Sequence, residues 1–232
     1  MWQATYESYT DTIEVNGTSL FYAVEGCGKP LIMLHGNGGR HEDLATSIHQ
    51  MAQLGYKVYA IDSRGQGANA PLCEYHYADM AEDVFQFIEK LGLERPAVFG
   101  WSDGGIVALE LELYNPGTVS MMAISGANIS PDGIGKQAYR DMFIYNNPPT
   151  PLVKMMMYEP NIAPERLERI QCPVLVMAGQ YDLIQEDHTR LIAKSLPQGE
   201  LCIVEGHDHG SHIYHNILLG NLLLPFLKKH NY

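Results

Sequence analysis

A serine between two glycines is the residue of this sequence best suited to covalent chemistry. Residues 100–104 are Gly-Trp-Ser-Asp-Gly, which matches the pattern G-x-S-x-G between a predicted strand and a predicted helix. A serine on such a tight turn projects its hydroxyl above the sheet edge, where it can attack a carbonyl carbon. The alternative is that Ser102 or Asp103 only caps the first turn of the helix. The pattern alone leaves both interpretations open.

A serine nucleophile needs a histidine to take its proton and a carboxylate to orient that histidine, and both occur later in the chain. Asp182 follows the apolar run 173–178. Three histidines lie within 207–212, shortly after the apolar run 200–204. If these runs are parallel strands, both loops lie at their carboxyl ends, where such sheets carry their reactive groups. The order Ser, Asp, His therefore predicts a catalytic triad with Ser102 as the nucleophile.

The elements that must position these residues alternate between short apolar runs and longer segments of helical period. Such alternation is typical of a parallel sheet with helices packed on it. The Asn16-Gly17 pair predicts a tight hairpin at the start of the sheet. The predicted strands span 12–15, 19–25, 30–34, 57–61, 97–101, 120–125, 173–178 and 200–204, and the predicted helices span 42–54, 77–91, 104–114, 185–195 and 212–230. The fold class is therefore α/β, with a mostly parallel sheet of about eight strands and helices on both faces.

Residues 128–170 depart from this alternation. The interval has no clean strand, and prolines at 148, 149, 151 and 160 interrupt it. A long connection in a compact domain usually carries function, so we interpret 128–170 as a lid or cap inserted in a single domain spanning 1–232. Met155, Met156 and Tyr158 are the candidate substrate-binding residues, because methionine forms adaptable apolar walls. Packing of these side chains in the core of the insertion explains their pattern equally well.

Composition excludes several classes of protein. The chain has 232 residues, and 46% of them are apolar, which suits one domain with a substantial core. A net charge of −12 disfavours nucleic acids and anionic membranes as partners. There is no membrane-spanning run and no secretory signal, so we expect a cytoplasmic protein. The four cysteines lack paired spacing and are expected to be free thiols.

Four motifs together resemble the α/β-hydrolase superfamily, in particular its small esterase-like members. They are Leu-His-Gly-Asn-Gly-Gly at 34–39, Asp-Ser-Arg-Gly-Gln-Gly at 62–67, the serine turn at 100–104, and Asp182 with the histidine loop. The resemblance extends over nearly the whole chain. It implies an α/β-hydrolase fold, and it makes residues 62–65 a structural turn without a chemical role.

The resemblance also implies which histidine is the base. The histidine of this family usually follows the pattern G-x-x-H, which selects His209, three residues after Gly206. His207 is the second choice, and His212 remains a candidate. A serine at the turn argues against dehalogenase and epoxide-hydrolase chemistry, which in similar proteins normally uses an aspartate there.

Acyl transfer also requires donors for the developing oxyanion, and backbone amides serve best because they are fixed before the reaction. One predicted donor is the N–H of Asp103, directly after the nucleophile. The other, implied by the family's His-Gly-x loop, is the N–H of Asn37. We interpret the Asp103 side chain as a helix cap, although it can also bond a neighbouring loop or hold a cationic group of the substrate.

This chemistry requires no cofactor and no metal. The cluster of His207, His209, His212 and His215 has spacing that a metal site can use, but no cysteine or carboxylate pattern accompanies it. One of these histidines is already required by Ser102. We therefore expect no metal at this loop.

The expected activity is that of a serine hydrolase that cleaves small carboxylic esters through an acyl-enzyme intermediate. The same triad also serves amide, thioester and carbon–carbon bond hydrolysis, and acyl transfer to other acceptors. A non-catalytic receptor for a small molecule is the alternative from another class. The expected partner is a small-molecule ester, and the sequence leaves the oligomeric state open.

Overall fold

The protein is built around a single mixed sheet. The computed structural model describes residues 5–232. Its strands are β1 (Glu7–Val15), β2 (Thr18–Gly26), β3 (Lys29–Leu34), β4 (Tyr56–Ile61), β5 (Ala97–Trp101), β6 (Met121–Ser125), β7 (Val174–Tyr181) and β8 (Gly199–Asp208). The order across the sheet is β1-β2-β4-β3-β5-β6-β7-β8. The strand β2 is antiparallel to β1 and β4, and all other neighbours are parallel. The predicted fold class is confirmed.

Helices cover both faces of this sheet. They are α1 (Ala45–Gln53), α2 (Tyr77–Leu91), α3 (Asp103–Tyr114), α4 (Lys136–Tyr145), α5 (Pro151–Tyr158), α6 (Glu186–Ser195) and α7 (Leu218–Lys229). Buried side chains of α1 and α7 form one core with the sheet, whereas those of α2, α3 and α6 form the other. None of the helices in the described part of the chain combines the length and apolar composition needed to cross a membrane.

The opening hairpin follows its turn residues. Asn16 and Gly17 have φ angles of 44° and 73°, the left-handed conformation that a two-residue hairpin turn requires. The strand β1 begins at Glu7, five residues before the prediction, because its pairing with β2 continues to Gly26. The extra residues are mostly exposed and polar, so they lack the apolar alternation from which a strand is predicted.

The prediction of a helix over 212–230 is wrong at its start. The helix α7 begins only at Leu218. His215 has a φ angle of 47°, which interrupts a right-handed helix. The Asn216 side chain then accepts a hydrogen bond from the Leu218 amide at 2.9 Å. The preceding residues form turns, which leaves the histidines of this segment on a loop.

The interval 128–170 leaves the sheet after β6 and returns to it at β7. It contains α4 and α5 and two short 3₁₀ turns, Pro131–Gly133 and Pro164–Arg169. These helices were not predicted, because each has only eight or ten residues and prolines separate them. Ile162, Leu167 and Ile170 anchor the later part of the interval in the core beside α3.

Candidate active site

Ser102 lies on a strained turn between β5 and α3. Its φ and ψ angles are 54° and −117°, which is unusual for a residue with a side chain. The two glycines of the motif allow this turn. A Cβ atom on Gly100 would lie 2.1 Å from the Gly104 carbonyl oxygen, and one on Gly104 would lie 2.5 Å from the Leu34 carbonyl oxygen. Backbone contact this close requires glycine at both positions.

The side chains of Ser102, His209 and Asp182 form a continuous hydrogen-bonded row. Ser102 Oγ lies 3.0 Å from His209 Nε2, and His209 Nδ1 lies 2.6 Å from Asp182 Oδ1. Because Nδ1 faces a carboxylate, it carries the proton, and Nε2 is free to accept one from the serine. The structure thus brings together the three residues that the sequence predicted as a triad.

Backbone amides hold the Asp182 carboxylate in place. Its side chain is 1% exposed. The Ile184 amide donates to Oδ1 at 2.9 Å and the Gly179 amide donates to Oδ2 at 3.2 Å. A buried, hydrogen-bonded carboxylate of this kind fixes the orientation of the imidazole that it faces.

The histidine ring is also held from its other sides. Trp101 Nε1 donates to the His209 carbonyl oxygen at 2.9 Å, and the two rings are in contact. A Cβ atom on Gly126 would lie 2.7 Å from the ring, so the close approach of this backbone requires glycine. Neither Trp101 nor Gly126 was assigned this supporting role from the sequence, because the contacts join segments far apart in the chain.

The other two candidate histidines have different partners. His207 is bonded to Ser211 Oγ at 3.1 Å, at the surface. His212 is buried, and its Nε2 lies 2.8 Å from Ser125 Oγ. Burial lowers the pKa of His212 and favours its neutral form. Of the three, His209 is therefore the one in contact with Ser102.

The described residues include one trio of potential metal ligands within 4.8 Å of each other, namely His41, Glu42 and Asp62. This trio includes none of the four loop histidines. The Asp62 carboxylate already accepts hydrogen bonds from the backbone amides of His41 and Ala68. Residues 62–65 thus contribute to the folding of a turn, as the resemblance implied.

His35 connects the loop 36–39 to that turn. Its Nε2 accepts from the Ser63 amide at 2.9 Å, so Nδ1 donates to the Gly36 carbonyl oxygen at 2.7 Å. Burial lowers the pKa of His35, which keeps the ring neutral and able to accept this bond. The loop is thereby held against Ser102, since a Cβ atom on Gly36 would lie 3.2 Å from the serine Cβ.

Asp103 does not cap α3, and the prediction of a cap is wrong. Its Oδ2 accepts from Asn37 Nδ2 at 2.8 Å, and its Oδ1 accepts from the Tyr77 hydroxyl at 2.8 Å. The carboxylate is buried, and burial raises its pKa while these two hydrogen bonds lower it. Asp103 follows the N-cap residue Ser102 as the first residue of the helix, and both of its carboxylate oxygens are taken by Asn37 and Tyr77.

The backbone amides of Asn37 and Asp103 remain available. Within residues 5–232, neither amide donates a hydrogen bond to another protein group. Both belong to residues next to Ser102 in space or sequence, and Asn37 lines the same cavity as the serine. These amides can therefore serve an oxyanion formed at a carbonyl bound to Ser102.

A cavity of about 350 Å³ opens above Ser102. Its lining combines both sides of the site: Gly36, Asn37, Trp101, Ser102, Met142, Asn146, Val153, Met156, Leu183 and His209. The sequence identified Met156 but missed the other side chains of α4 and α5, because those helices were not predicted. A second cavity of about 660 Å³ also reaches His209 and is lined by Tyr181, Asp208 and Tyr214.

Two of the three candidate substrate-binding residues lie elsewhere. Met155 is 4% exposed and packs in the core, and Tyr158 is 70% exposed. Both line a separate pocket with His76 and Glu159, on the other side of α5. The correction follows from helix geometry, because adjacent residues of a helix point in different directions.

Comparison with known proteins agrees with the fold. Residues 29–146, about half of the chain, match the model of the alpha/beta hydrolase fold family. Human serine hydrolase BPHL is 26% identical over 87% of this chain and 80% of its own. The Bacillus subtilis AB hydrolase superfamily protein YisY is 24% identical over 90% of this chain and 95% of its own. A thermophilic esterase from Thermogutta terrifontis superposes with a TM-score of 0.80 at 18% identity, covering 97% of this chain and 100% of that chain.

The chain belongs to the alpha/beta hydrolase family. The prediction of the family and the prediction of a serine hydrolase enzyme are confirmed. At 18% identity, the likeness to the solved esterase shows the fold alone.

Proposed function

We propose that the protein hydrolyses small carboxylic esters through an acyl-enzyme intermediate on Ser102. The observation that carries this proposal is the hydrogen-bonded row of Ser102, His209 and Asp182 at the floor of a cavity. Two unpaired backbone amides beside that row complete the groups that acyl transfer requires.

In the first half of the reaction, Ser102 Oγ attacks the ester carbonyl carbon while His209 Nε2 takes the hydroxyl proton. The carbonyl oxygen becomes an oxyanion, which accepts hydrogen bonds from the amides of Asn37 and Asp103. The bond to the alcohol oxygen then breaks, and His209 gives its proton to the departing alcohol.

In the second half, a water molecule replaces the alcohol. His209 takes a proton from this water as its oxygen attacks the acyl-enzyme carbonyl. Collapse of the second tetrahedral intermediate releases the carboxylic acid and returns the proton to Ser102 Oγ. The Asp182 carboxylate orients the ring of His209 throughout and stabilises its imidazolium form.

The cavity above the serine suits a small acyl group. Its volume of about 350 Å³ lies near the lower end of ordinary ligand sites. Met142, Val153 and Met156 supply apolar contact for an acyl chain, and Asn146 adds a polar group. We propose that residues 128–170, which contribute these side chains, act as a lid over the site within a single domain.

The test is hydrolysis of p-nitrophenyl esters, from acetate to long acyl chains, by the wild type and by Ser102→Ala. We expect the highest activity on short chains and a loss of about 10⁴-fold or more in the variant, as for removal of other triad serines. Ser195→Ala, at the end of α6 and outside the site, is the matched control and is expected to keep full activity.

Labelling with a fluorophosphonate separates a catalyst from a receptor. Such a probe bonds covalently to an activated serine, so we expect labelling of the wild type and none of Ser102→Ala. A folded wild type that neither hydrolyses any ester of the series nor takes the probe would overturn the proposal and favour a non-catalytic receptor.

A further inference from the structure

The two residues that offer amides to the oxyanion are also bonded through their side chains. Asn37 Nδ2 donates to Asp103 Oδ2 at 2.8 Å. The Tyr77 hydroxyl donates to the other carboxylate oxygen, also at 2.8 Å. We propose that the Asp103 carboxylate, held by Tyr77, is a positioning group that sets the placement of the Asn37 N–H relative to the Asp103 N–H. This inference rests on the proposed function and concerns the same site.

The loop that carries Asn37 is bonded on either side of that residue, by His35 at the Gly36 carbonyl oxygen and by Gln66 Oε1 at the Gly38 amide, and the bond to Asp103 adds a restraint at Asn37 itself. Gly36, Gly38 and Gly39 surround Asn37, and Gly38 has a φ angle of 67°. Glycines leave the backbone free to adopt many conformations. An oxyanion donor must nevertheless lie within about 2.7–3.1 Å of the developing charge, so a small rotation of the peptide removes it. Asn37 is the one residue among 36–39 with a side chain that can hold the loop from this position.

Asp103 is a suitable anchor because its own backbone is fixed. It follows the strained Ser102 directly and begins α3, and the glycine contacts of the turn leave that backbone little freedom. The residue is 4% exposed. Burial of a carboxylate is costly unless donors satisfy it, and here Asn37 and Tyr77 are the two donors. The same bonds that satisfy the carboxylate therefore connect the loop to the turn.

Tyr77 holds the carboxylate from the opposite side. It is the first residue of α2 and is 1% exposed. Its backbone amide donates to Glu159 Oε2 at 3.1 Å, which fixes the start of the helix to the end of α5. A buried hydroxyl in this position has one acceptor, Asp103 Oδ1, and this contact keeps the carboxylate directed at Asn37.

The competing role for Asp103 is direct binding of a cationic group of the substrate. Two observations disfavour it. The carboxylate is not among the groups that line the cavity above Ser102, and both of its oxygens already accept hydrogen bonds. A cation would therefore have to displace Asn37 or Tyr77 to reach it.

The experiment compares Asn37→Ala, Asp103→Ala, Asp103→Asn and Tyr77→Phe on a short p-nitrophenyl ester. Asn37→Ala keeps the backbone N–H and loses only the side-chain bond, so we expect kcat to fall about 10-fold or more while KM stays within about 2-fold. Asp103→Ala should likewise lower kcat about 10-fold or more and leave KM within about 2-fold. Asn221→Ala is the matched control, because it removes a surface hydrogen bond of the same length, 2.8 Å, which Gln50 Nε2 donates to Asn221 Oδ1.

Asparagine at position 103 should restore most of the activity lost with alanine. Its oxygen can accept from Asn37 and its nitrogen can donate to the Tyr77 oxygen, so the connection persists without the charge. We expect kcat within about 3-fold of the wild type, and an intermediate loss for Tyr77→Phe. This comparison also keeps the proposal testable if alanine at position 103 prevents folding.

Two readouts separate positioning from general stability. A trifluoromethyl ketone with the same acyl group forms a tetrahedral adduct on the serine, and its affinity should fall in parallel with kcat. The double variant of Asn37→Ala and Asp103→Ala should lose no more than the worse single variant, because both remove one connection.

Three results would overturn the inference. One is wild-type kcat in Asn37→Ala, and another is a double variant whose losses multiply. The third is a loss in Asp103→Asn confined to α-amino esters with no loss on neutral esters, which would assign Asp103 to cation binding. If Ser102→Ala hydrolyses esters as fast as the wild type, the proposed function fails and the inference fails with it. If activity depends on Ser102 but Asn37→Ala does not change it, only the positioning role is overturned.

Discussion

The carboxyl edge of the sheet and the interval 128–170 differ in how they hold the side chains that line the cavity. At the edge, Asp182 is bonded by backbone amides and Ser102 stands on a turn that two glycines make possible. In the interval, the lining side chains of Met142, Val153 and Met156 are only half-buried. Both regions contribute to the cavity above the serine.

This difference agrees with the tasks that we assign to the two regions. Proton transfer and oxyanion binding demand placement within a fraction of an ångström, and at the edge the Asp182 carboxylate is buried and bonded by amides while close glycine contacts fix the turn at Ser102. Contact with an acyl chain tolerates small shifts, because dispersion and apolar burial depend weakly on direction. Substitutions at the edge should therefore cost far more than substitutions in the interval.

The largest expected effect is at the histidine. His209→Gln removes the group that we propose exchanges protons with Ser102, so we expect kcat for a short p-nitrophenyl ester to fall by about 10³- to 10⁴-fold or more. His207→Gln is the matched control, two residues away at the surface, and should stay within about 2-fold of the wild type. Equal losses of kcat in the two variants would contradict the assignment of His209 as the histidine that acts on Ser102.

The second effect concerns the turn itself. Gly104→Ala places a Cβ atom 2.5 Å from the Leu34 carbonyl oxygen, and neither backbone can move easily. We expect the free energy of unfolding in urea to fall by about 3 kcal/mol or more. In the interval, Gly135→Ala meets its nearest atom only at 3.3 Å and should change stability by less than about 1 kcal/mol. Similar losses at both positions would remove the contrast between the two regions.

A third effect concerns α3 where it packs against the later part of the interval. Glu110 of α3 is buried, its Oε2 atom has no hydrogen-bond partner among the described residues, and burial raises its pKa to about 7, with Glu159 adding to the rise. The usual value is 4.5, so the folded protein holds this proton more tightly than the unfolded chain. Stability therefore falls as the pH rises from about 4.5 to about 7, and the deficit is complete above that range.

Glu110→Gln removes this loss of stability, because glutamine does not ionise. We expect it to raise the free energy of unfolding at pH 8.5 by up to about 3 kcal/mol, and by less at pH 5.5. Urea unfolding at the two pH values measures the difference. Glu112→Gln is the control on the same helix: burial raises the pKa of Glu112 as well, but its carboxylate accepts from the amides of Gly117 and Val119, so glutamine should lower the free energy of unfolding at pH 8.5 by about 1–2 kcal/mol. A gain that is independent of pH would contradict the titration of Glu110.

The smallest effect is expected in the interval. Met156→Ala removes apolar contact from the cavity, so KM for short-chain esters should rise about 3- to 10-fold with little change in kcat. Activity should also extend to longer acyl chains, which use the vacated space. Tyr158→Ala, two residues further along α5, lies outside this cavity and should leave the chain-length profile unchanged. A change in profile from Tyr158→Ala would place the acyl group on the other side of the helix.

Much of the fold was predictable from local patterns. The helix α2 has the predicted bounds 77–91, and β5 has the predicted bounds 97–101. The apolar period of three and four in α2, and the continuous apolar run of β5, each reflect burial against a neighbouring layer. The predictions failed where local pattern and burial diverge, as in the exposed start of β1 and in the turns that precede α7.

In the candidate site, too, some features were predictable from the sequence and others are visible only in the structure. The motif around Ser102 and the order Ser, Asp, His are properties of the sequence alone, because each depends on neighbouring residues or on the order of strands. Among His207, His209 and His212, the family resemblance selected His209, and the tertiary structure shows that its ring is the one in contact with Ser102. The three lie within six residues of each other, at the end of β8 and in the loop after it, so their distance to Ser102, 107 residues from His209, separates them.

The sequence by itself determined the family and the layers of the fold, and it predicted Ser102 as the nucleophile, because glycine turns and apolar periods act over short stretches of chain. Tertiary structure alone decided that Asp103 bonds Asn37 instead of capping its helix, and that Met156 and not Met155 faces the cavity. These outcomes depend on the direction of a side chain relative to segments distant in sequence. Such directions are set by packing across the whole domain, and no local pattern of residue types encodes them.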